Sequence, residues 1–332
     1  MKKNFYLLAT LLVGSLTMFS ACGDDDPVDN GGDDGGGGEE PTEETTEETV
    51  KTATLNATAY DKWVYFNLSD GATVTHEIEP VAGTYSGDIS VTVMGKDYGS
   101  VEDLKLEVGR LETDSVSLLL KDFNFGNYQM GDIAAGATIS ADTLCWALNG
   151  GTIVVNGMNV ACKGGIAGDS LNLVMTIQPT GMPMPFVATY KGIVETRAGI
   201  DETSFNWDFA LHRYDVKTNG ASAVATSESD MAKVTAIPSS GYTADIKTDS
   251  LMVDSSGMMQ NKIGYATTDL NEVLTGWMDL DLSNMPPSYT MSGVVYVIKL
   301  KSGEYAKIKF TDYTNDDNVK GHITFDYVYP FK

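Results

Sequence analysis

Apolar and polar positions alternate along most of this chain beyond residue 50. Trp207, Phe209 and Leu211 alternate with Asp208, Ala210 and His212, the period of a strand with one buried face. Tyr214 and Val216 continue the alternation, and Thr218, Asn219 and Gly220 close it with turn residues, so the pattern predicts one strand within 204–220. Earlier, Trp63, Tyr65 and Phe66 mark a strand that turns at Ser69, Asp70 and Gly71, with 73–78 as its hairpin partner. Short strand runs follow at 89–93, 104–108, 115–120, 171–177 and 186–191, separated by turn residues, as in an up-and-down barrel or a sandwich. Amphipathic helical patterns of more than a few turns are absent, and the folded part reads as all-β.

The N-terminus departs from this pattern. Lys2 and Lys3 precede an apolar run at 5–19, too short for a comfortable membrane span, which ends in Phe19-Ser20-Ala21-Cys22. The arrangement resembles a bacterial lipobox, with residues 1–21 as signal peptide and Cys22 as the acylated first residue of the mature protein. Residues 22–50 are rich in glycine, aspartate and glutamate and hold too few apolar residues to bury a core, so they read as an extended, disordered tether. The acidic run directly after Cys22 resembles the surface-export signal of Bacteroidota lipoproteins. The implied location is the outer membrane, lipid-anchored and facing outward, with membrane contact through the anchor alone.

Over 332 residues the net charge is −24, which argues against nucleic acid as a partner. G-x-S-x-G, H-E-x-x-H and phosphate-loop motifs are absent, so the expectation is a binding protein and not an enzyme. Cys145 and Cys162 lie in two strand-like words, TLCWAL and NVACKGG. Export allows a disulfide between them, and two buried free thiols fit the pattern equally.

The style of 51–80 returns at 197–332, while 81–196 has a character of its own. A short first part, a middle whose ends come together and a long return segment is the signature of a domain inserted at a loop tip. The middle part, with VAGTYSG, LLLKDFNF and MGDI, resembles the calycin-like domain of Bacteroidota lipoproteins. Calycin barrels often enclose a small apolar ligand, and one of this size can equally be filled by its own side chains; the filled form is the expectation here.

The outer part resembles the HmuY-type haem-binding lipoproteins of the Bacteroidota. The matching words are AYDKWVYFNLSDG at 59–71, NWDFALHRYDVKTNG at 206–220, VLTGWMDLDLSNMPPSYTMS at 273–292 and the closing stretch at 305–332. The resemblance implies an all-β fold that holds one non-covalent haem between two loops. It implies capture of haem, free or from host haemoproteins, and its passage to a TonB-dependent outer-membrane receptor. Two axial side chains, histidines or methionines, would hold the iron.

His76, His212 and His322 are not placed as a pair in the two loops and read as structural or surface residues. Met231, in SESDMAKV, and Met258 with its neighbour Met259 sit in polar loop settings that correspond to the family's two ligand-bearing segments. A thioether is a soft ligand that haem iron accepts, and two would favour the ferrous state. Met231 with Met258 is the expected pair, with Met259 as the alternative to Met258. Met252, Met278 and Met285 read as packing residues. Val234, Ile237, Tyr242, Ile263 and Tyr265 flank the loops as pocket lining, with Lys233 and Lys262 at the rim. No CxxCH word is present, which excludes covalent attachment. The competing reading is a surface module that keeps the fold and binds a glycan or a protein instead. In that case exposed tryptophans would matter, whereas the strand setting of Trp63, Trp207 and Trp277 points to the core.

Overall fold

The computed structural model describes residues 49–332 apart from 127, 144, 156, 157, 180–182, 282, 284 and 285. Residues 1–48, with the expected signal peptide, Cys22 and nearly all of the expected tether, lie outside the described residues, as does Met285. Three strands open the fold: β1 (Lys51–Asn56), β2 (Lys62–Phe66) and β3 (Thr73–Glu77). Nine follow: β4 (Gly83–Val93), β5 (Lys96–Glu112), β6 (Ser115–Phe125), β7 (Tyr128–Asp142), β8 (Cys145–Gly150), β9 (Ile153–Val155), β10 (Met158–Ala167), β11 (Ser170–Pro179) and β12 (Phe186–Arg197). The return segment gives β13 (Phe209–His212), β14 (Asp215–Thr218), β15 (Ser222–Ala225), β16 (Thr243–Ala244), β17 (Ile246–Gly257) and β18 (Lys262–Leu270). After the short helix α1 (Glu272–Thr275) come β19 (Met278–Asp281), β20 (Ser288–Met291), β21 (Tyr296–Lys299), β22 (Tyr305–Thr314) and β23 (Lys320–Phe331). The fold is all-β, as the alternation requires.

Two sheets form a sandwich. One runs β1-β23-β22-β21-β15-β16 and the other β14-β13-β2-β3. Period-2 alternation sends Val64 and Phe66 of β2, Phe209 and Leu211 of β13, and Phe325 and Tyr327 of β23 into one shared core. Its centre is aromatic: Phe66, Phe209 and Phe325 lie with ring centroids 5.1–5.4 Å apart. Each such pair adds about 0.5–1.5 kcal/mol beyond the area it buries.

The 204–220 stretch differs from its expected form. Trp207 lies in the approach to the sheet, and the chain reverses at Arg213 and Tyr214. There β13 turns back antiparallel into β14, with His212 opposite Asp215. Arg213 takes φ +53°, a left-handed value that alternation alone cannot reveal. Its guanidinium donates to the Thr58 carbonyl at 2.7 Å and lies 4.8 Å from the Tyr60 ring, which holds the turn in place.

Strands β4 to β8 and β10 to β12 make a separate antiparallel sheet, and the β10–β11 pairing closes it into a ring of eight, with β9 at its margin. The interior is filled. Tyr85, Ile89, Leu106, Leu118, Leu173 and Tyr190 are buried in one apolar cluster. The Tyr190 hydroxyl meets the Tyr85 carbonyl at 2.9 Å, so the buried phenol keeps a hydrogen bond. In β6 the inward residues run Val116, Leu118, Leu120 and then Phe123. The change of phase falls at a bulge, where Asp122 (φ +52°) absorbs the extra residue. Chain entry and exit are side by side, because Gly83 of β4 pairs with Arg197 of β12.

Candidate functional site

The loop between β15 and β16 carries Met231. Asp230 caps a single 3-10 turn, Met231–Lys233, by accepting the Ala232 N–H at 3.0 Å. The turn lies on the outer face of the larger sheet, the face opposite the sandwich core. On β21, Tyr296 and Ile298 point into that core, while Val297 and Val295, just before the strand, point out toward Met231. Met231 is 8% exposed and packs with Val234, Val295, Val297, Val328 and Phe331. Ile237 and Tyr242 pack against the cluster. Lys307 straps the loop down, donating to the carbonyls of Met231 (3.1 Å) and Val234 (3.0 Å).

Met258 and Met259 occupy a second 3-10 turn, Met258–Gln260, at the tip of the β17–β18 hairpin. They are 45% and 92% exposed. The hairpin covers the outer face of the smaller sheet. Leu251, Val253 and Ala266 pack on Trp63, Tyr65 and Trp207, the residues of β2 and its surroundings that face away from the sandwich core. The tip reaches the closed eight-stranded sheet. Thr143 meets the Asn261 carbonyl at 3.5 Å, and Lys262 lies 3.8 Å from Asp142.

The expected pair is therefore not brought together. Met231 lies over one outer face of the sandwich and the Met258–Met259 turn belongs to the hairpin over the other, with two sheets about 10 Å apart between them. Lys233 and Lys262 are separated in the same way and do not form one rim. Met231 by itself offers a soft sulfur within an apolar cluster, packed among Val234, Val295, Val297, Val328 and Phe331. The Tyr242 hydroxyl beside it is a buried polar atom without a hydrogen-bond partner among the described residues. As placed, the two-methionine set does not fit a single haem.

Cys145 and Cys162 are both free thiols, which removes the disulfide reading. Lys163 of β10 pairs with Asn149 of β8, which puts Cys162 beside Gly150 and Ala167 opposite Cys145. The offset of five residues along a strand is ~17 Å, far beyond the ~7 Å Cα separation that a disulfide tolerates. Burial raises the Cys162 thiol, and burial together with Asp142 raises Cys145. With the native protein, a thiol reagent is expected to label Cys145 well before Cys162, and reduction to leave electrophoretic mobility unchanged. Quantitative thiol titration, native and then in denaturant, checks both.

His212 is buried, its Nε2 2.6 Å from the Tyr60 carbonyl and its ring 5.3 Å from Trp63, a structural position. Lys217 is the residue that sequence reasoning missed. Its position opposite Ala210, itself opposite Tyr65, places it on the outer face of the smaller sheet, where a lysine ordinarily meets water. Here that face is covered. The ammonium lies 4.5 Å from the Trp63 ring, 4.9 Å from Tyr65 and 5.5 Å from Trp207, and donates to Glu202 at 2.5 Å. Burial pushes it below its ordinary pKa, and the Glu202 carboxylate offsets part of that shift.

The fold and these surfaces define a class: a β sandwich with a closed antiparallel sheet at one junction and two methionine-bearing turns on its outer faces. A family model described as HmuY protein matches residues 59–327, most of the chain, and the chain belongs to that family. Solved structures similar to it include a candidate HmuY-like heme-binding protein from Bacteroides vulgatus (22% identity, 85% of this chain and 93% of that one, TM-score 0.46). The apo HmuY analog of Tannerella forsythia is similar at 23% identity, over 85% of this chain and 95% of that one, with a TM-score of 0.44. Apo PinO from Porphyromonas gingivitis is similar at 19% identity, over 85% and 98% of the two chains, with a TM-score of 0.45. No curated protein matches the chain.

Proposed function

We propose that this protein is a surface haem-binding lipoprotein that captures haem, free or from host haemoproteins, and passes it to a TonB-dependent outer-membrane receptor. Membership of the HmuY family across 59–327 is the observation that carries the reading. It supports a binding protein rather than an enzyme. The anchor is Cys22, and Cys22→Ala is the variant expected to free the protein from membranes. Residues 81–196 are proposed as an inserted calycin-like domain, in keeping with the pairing of Gly83 with Arg197.

The iron ligands are proposed among Met231, Met258 and Met259. The exposed turn offers Met258 and Met259 directly, whereas Met231 reaches iron only from within its apolar cluster. A pair drawn from both loops requires one of them to leave its seat. Haem titration of the soluble domain, oxidised and then reduced, is expected to give low-spin absorption bands, stronger in the ferrous state. No low-spin spectrum in either state would rule out this function. Changing Met231 and Met258 together to alanine is expected to abolish the bands, and full retention would move the ligands elsewhere.

The second reading, a glycan- or protein-binding module, is favoured by one feature. A cleft of about 830 Å³ lies where β2–β3, the β5–β6 turn and β17 meet, lined by Tyr60, Trp146, Asp61, Glu112, Asp254 and Ser256 among others. Two aromatic rings among carboxylates and hydroxyls suit a polar ligand better than a porphyrin.

A further inference from the structure

The β17–β18 hairpin, which holds Met258 and Met259, is not an independent finger. Its own pairing is irregular, with register shifts between Thr248 and Leu251, between Met252 and Asp254, and between Asp254 and Gly257. A two-stranded hairpin is marginal in water without a layer to pack on. Leu251, Val253 and Ala266 give this one such a layer on Trp63, Tyr65 and Trp207, and the closed sheet adds a second support along β18 toward the tip. Trp146 of β8 donates its indole N–H to the Tyr265 carbonyl of β18 at 2.7 Å. Its ring lies flush against Gly264, where an added Cβ would stand 2.4 Å from the ring atoms. Gly264 is thus a glycine of close approach, and not one of turn conformation. Trp146 is half-buried and touches two apolar clusters, the interior of the closed sheet and the layer beneath the hairpin. Ion pairs flank it. Lys247 near the hairpin base pairs with Asp169, which also sits 3.5 Å from Arg197, and Lys262 near the tip faces Asp142.

We propose that Trp146 is a positioning residue: through its bond to Tyr265 and its seat on Gly264, the closed sheet sets where the Met258–Met259 turn stands, and releasing it frees the turn to move. The proposal rests on the haem reading only for its consequence, because the brace itself is a property of the hairpin. In the seated position Met258 stays on the far side of the sandwich from Met231. Partner or ligand contact that dislodges Trp146 would therefore change which sulfurs a haem can reach.

Hydrogen exchange on the full chain tests the brace without haem. Trp146→Ala is expected to speed amide exchange across 246–270 about tenfold, since it removes one hydrogen bond and its packing. Exchange within 96–125 is expected to stay unchanged. Trp146→Phe keeps a ring against Gly264 and is expected to restore most of the protection. Gly264→Ala crowds the ring and also the Asp254 Cβ, 2.9 Å from the added methyl, so it is expected to speed exchange across 246–270 at least as much as Trp146→Ala. Unchanged exchange at 246–270 in Trp146→Ala, or a rise equal in 96–125, overturns the proposal; the second result makes Trp146 a residue of overall stability and not of the hairpin's placement. Haem titration of the same variants separates the two readings. A shift in apparent haem affinity of several-fold alongside faster hairpin exchange supports both. Faster exchange with no haem binding in any form, the parent included, leaves the brace standing and removes the haem function.

Discussion

Trp277→Ala is expected to lower the unfolding free energy by about 3–5 kcal/mol, the usual cost of emptying a large aromatic site in a core. Trp277 is 0% exposed and stacks on Phe310 with centroids 4.5 Å apart and planes 26° from parallel. Its indole N–H is also spent, donating to the Tyr214 carbonyl at 2.9 Å. Truncation opens a void beside Phe310 and leaves that carbonyl, in the β13–β14 turn, without its donor. The site lies where α1 ends, so relaxation by collapse would have to move the helix that Asn271 caps through the Leu274 N–H. Urea denaturation followed by circular dichroism checks the value. A loss below about 1 kcal/mol would mean that the pocket closes over the gap.

Arg110→Ala is expected to cost about 2–3 kcal/mol at neutral pH, less than a fully buried pair because both partners keep some water. The Arg110 guanidinium grips Glu79 with two bonds, Nη2 at 2.8 Å and Nε at 3.0 Å. The same carboxylate accepts the N–H groups of Val81 (2.9 Å) and Ala82 (2.8 Å), where the chain passes from the sandwich into the closed sheet. Burial acts to raise the Glu79 carboxyl, and Arg110 with those two amides more than reverses it, so its pKa lies below the ordinary carboxylate range. Asp169 behaves alike: burial raises it, and Lys247 and Arg197 bring it below its usual value. A carboxylate depressed in the folded state stabilises the protein fully above its unfolded pKa, about 4. That contribution is lost as pH falls through the lowered folded value. The gap between parent and Arg110→Ala is therefore expected to be widest near neutrality and to shrink below about pH 4. Paired urea titrations at neutral and acid pH measure it, and a gap that stays constant would remove Glu79 as its source.

The strand content was legible because period-2 alternation directly encodes which side of a sheet is wet. The pairing of 62–66 with 73–77 came from turn residues at 69–71. The later strands of that sheet, β7, β8 and β10, were harder to read. Glycine and alanine at Gly131, Ala134, Ala135, Gly136, Gly164 and Gly165 dilute the apolar signal, although the backbone pairs as fully as in the Leu-rich strands. Reversal at Arg213 was invisible because arginine carries no turn signature; tertiary contacts to Thr58 and Tyr60 hold its left-handed φ.

The candidate site divides in the same way. Two methionine-bearing loops and their apolar flanks could be found by composition, since Met231, Met258 and Met259 stand among polar neighbours. Cysteine positions on strands could be found too, but not their five-residue offset, because register between β8 and β10 depends on pairing and not on spacing in the chain. The sequence by itself determined an all-β family member with two soft-donor loops, because alternation, turn chemistry and residue type are local properties. Only the tertiary structure decided that the loops sit on opposite outer faces, that Lys217 is covered rather than wet, and that Trp146 holds the hairpin. Each of these depends on a third layer packing over a sheet face, and a strand's own pattern says which residues share a face, not what comes to lie against it.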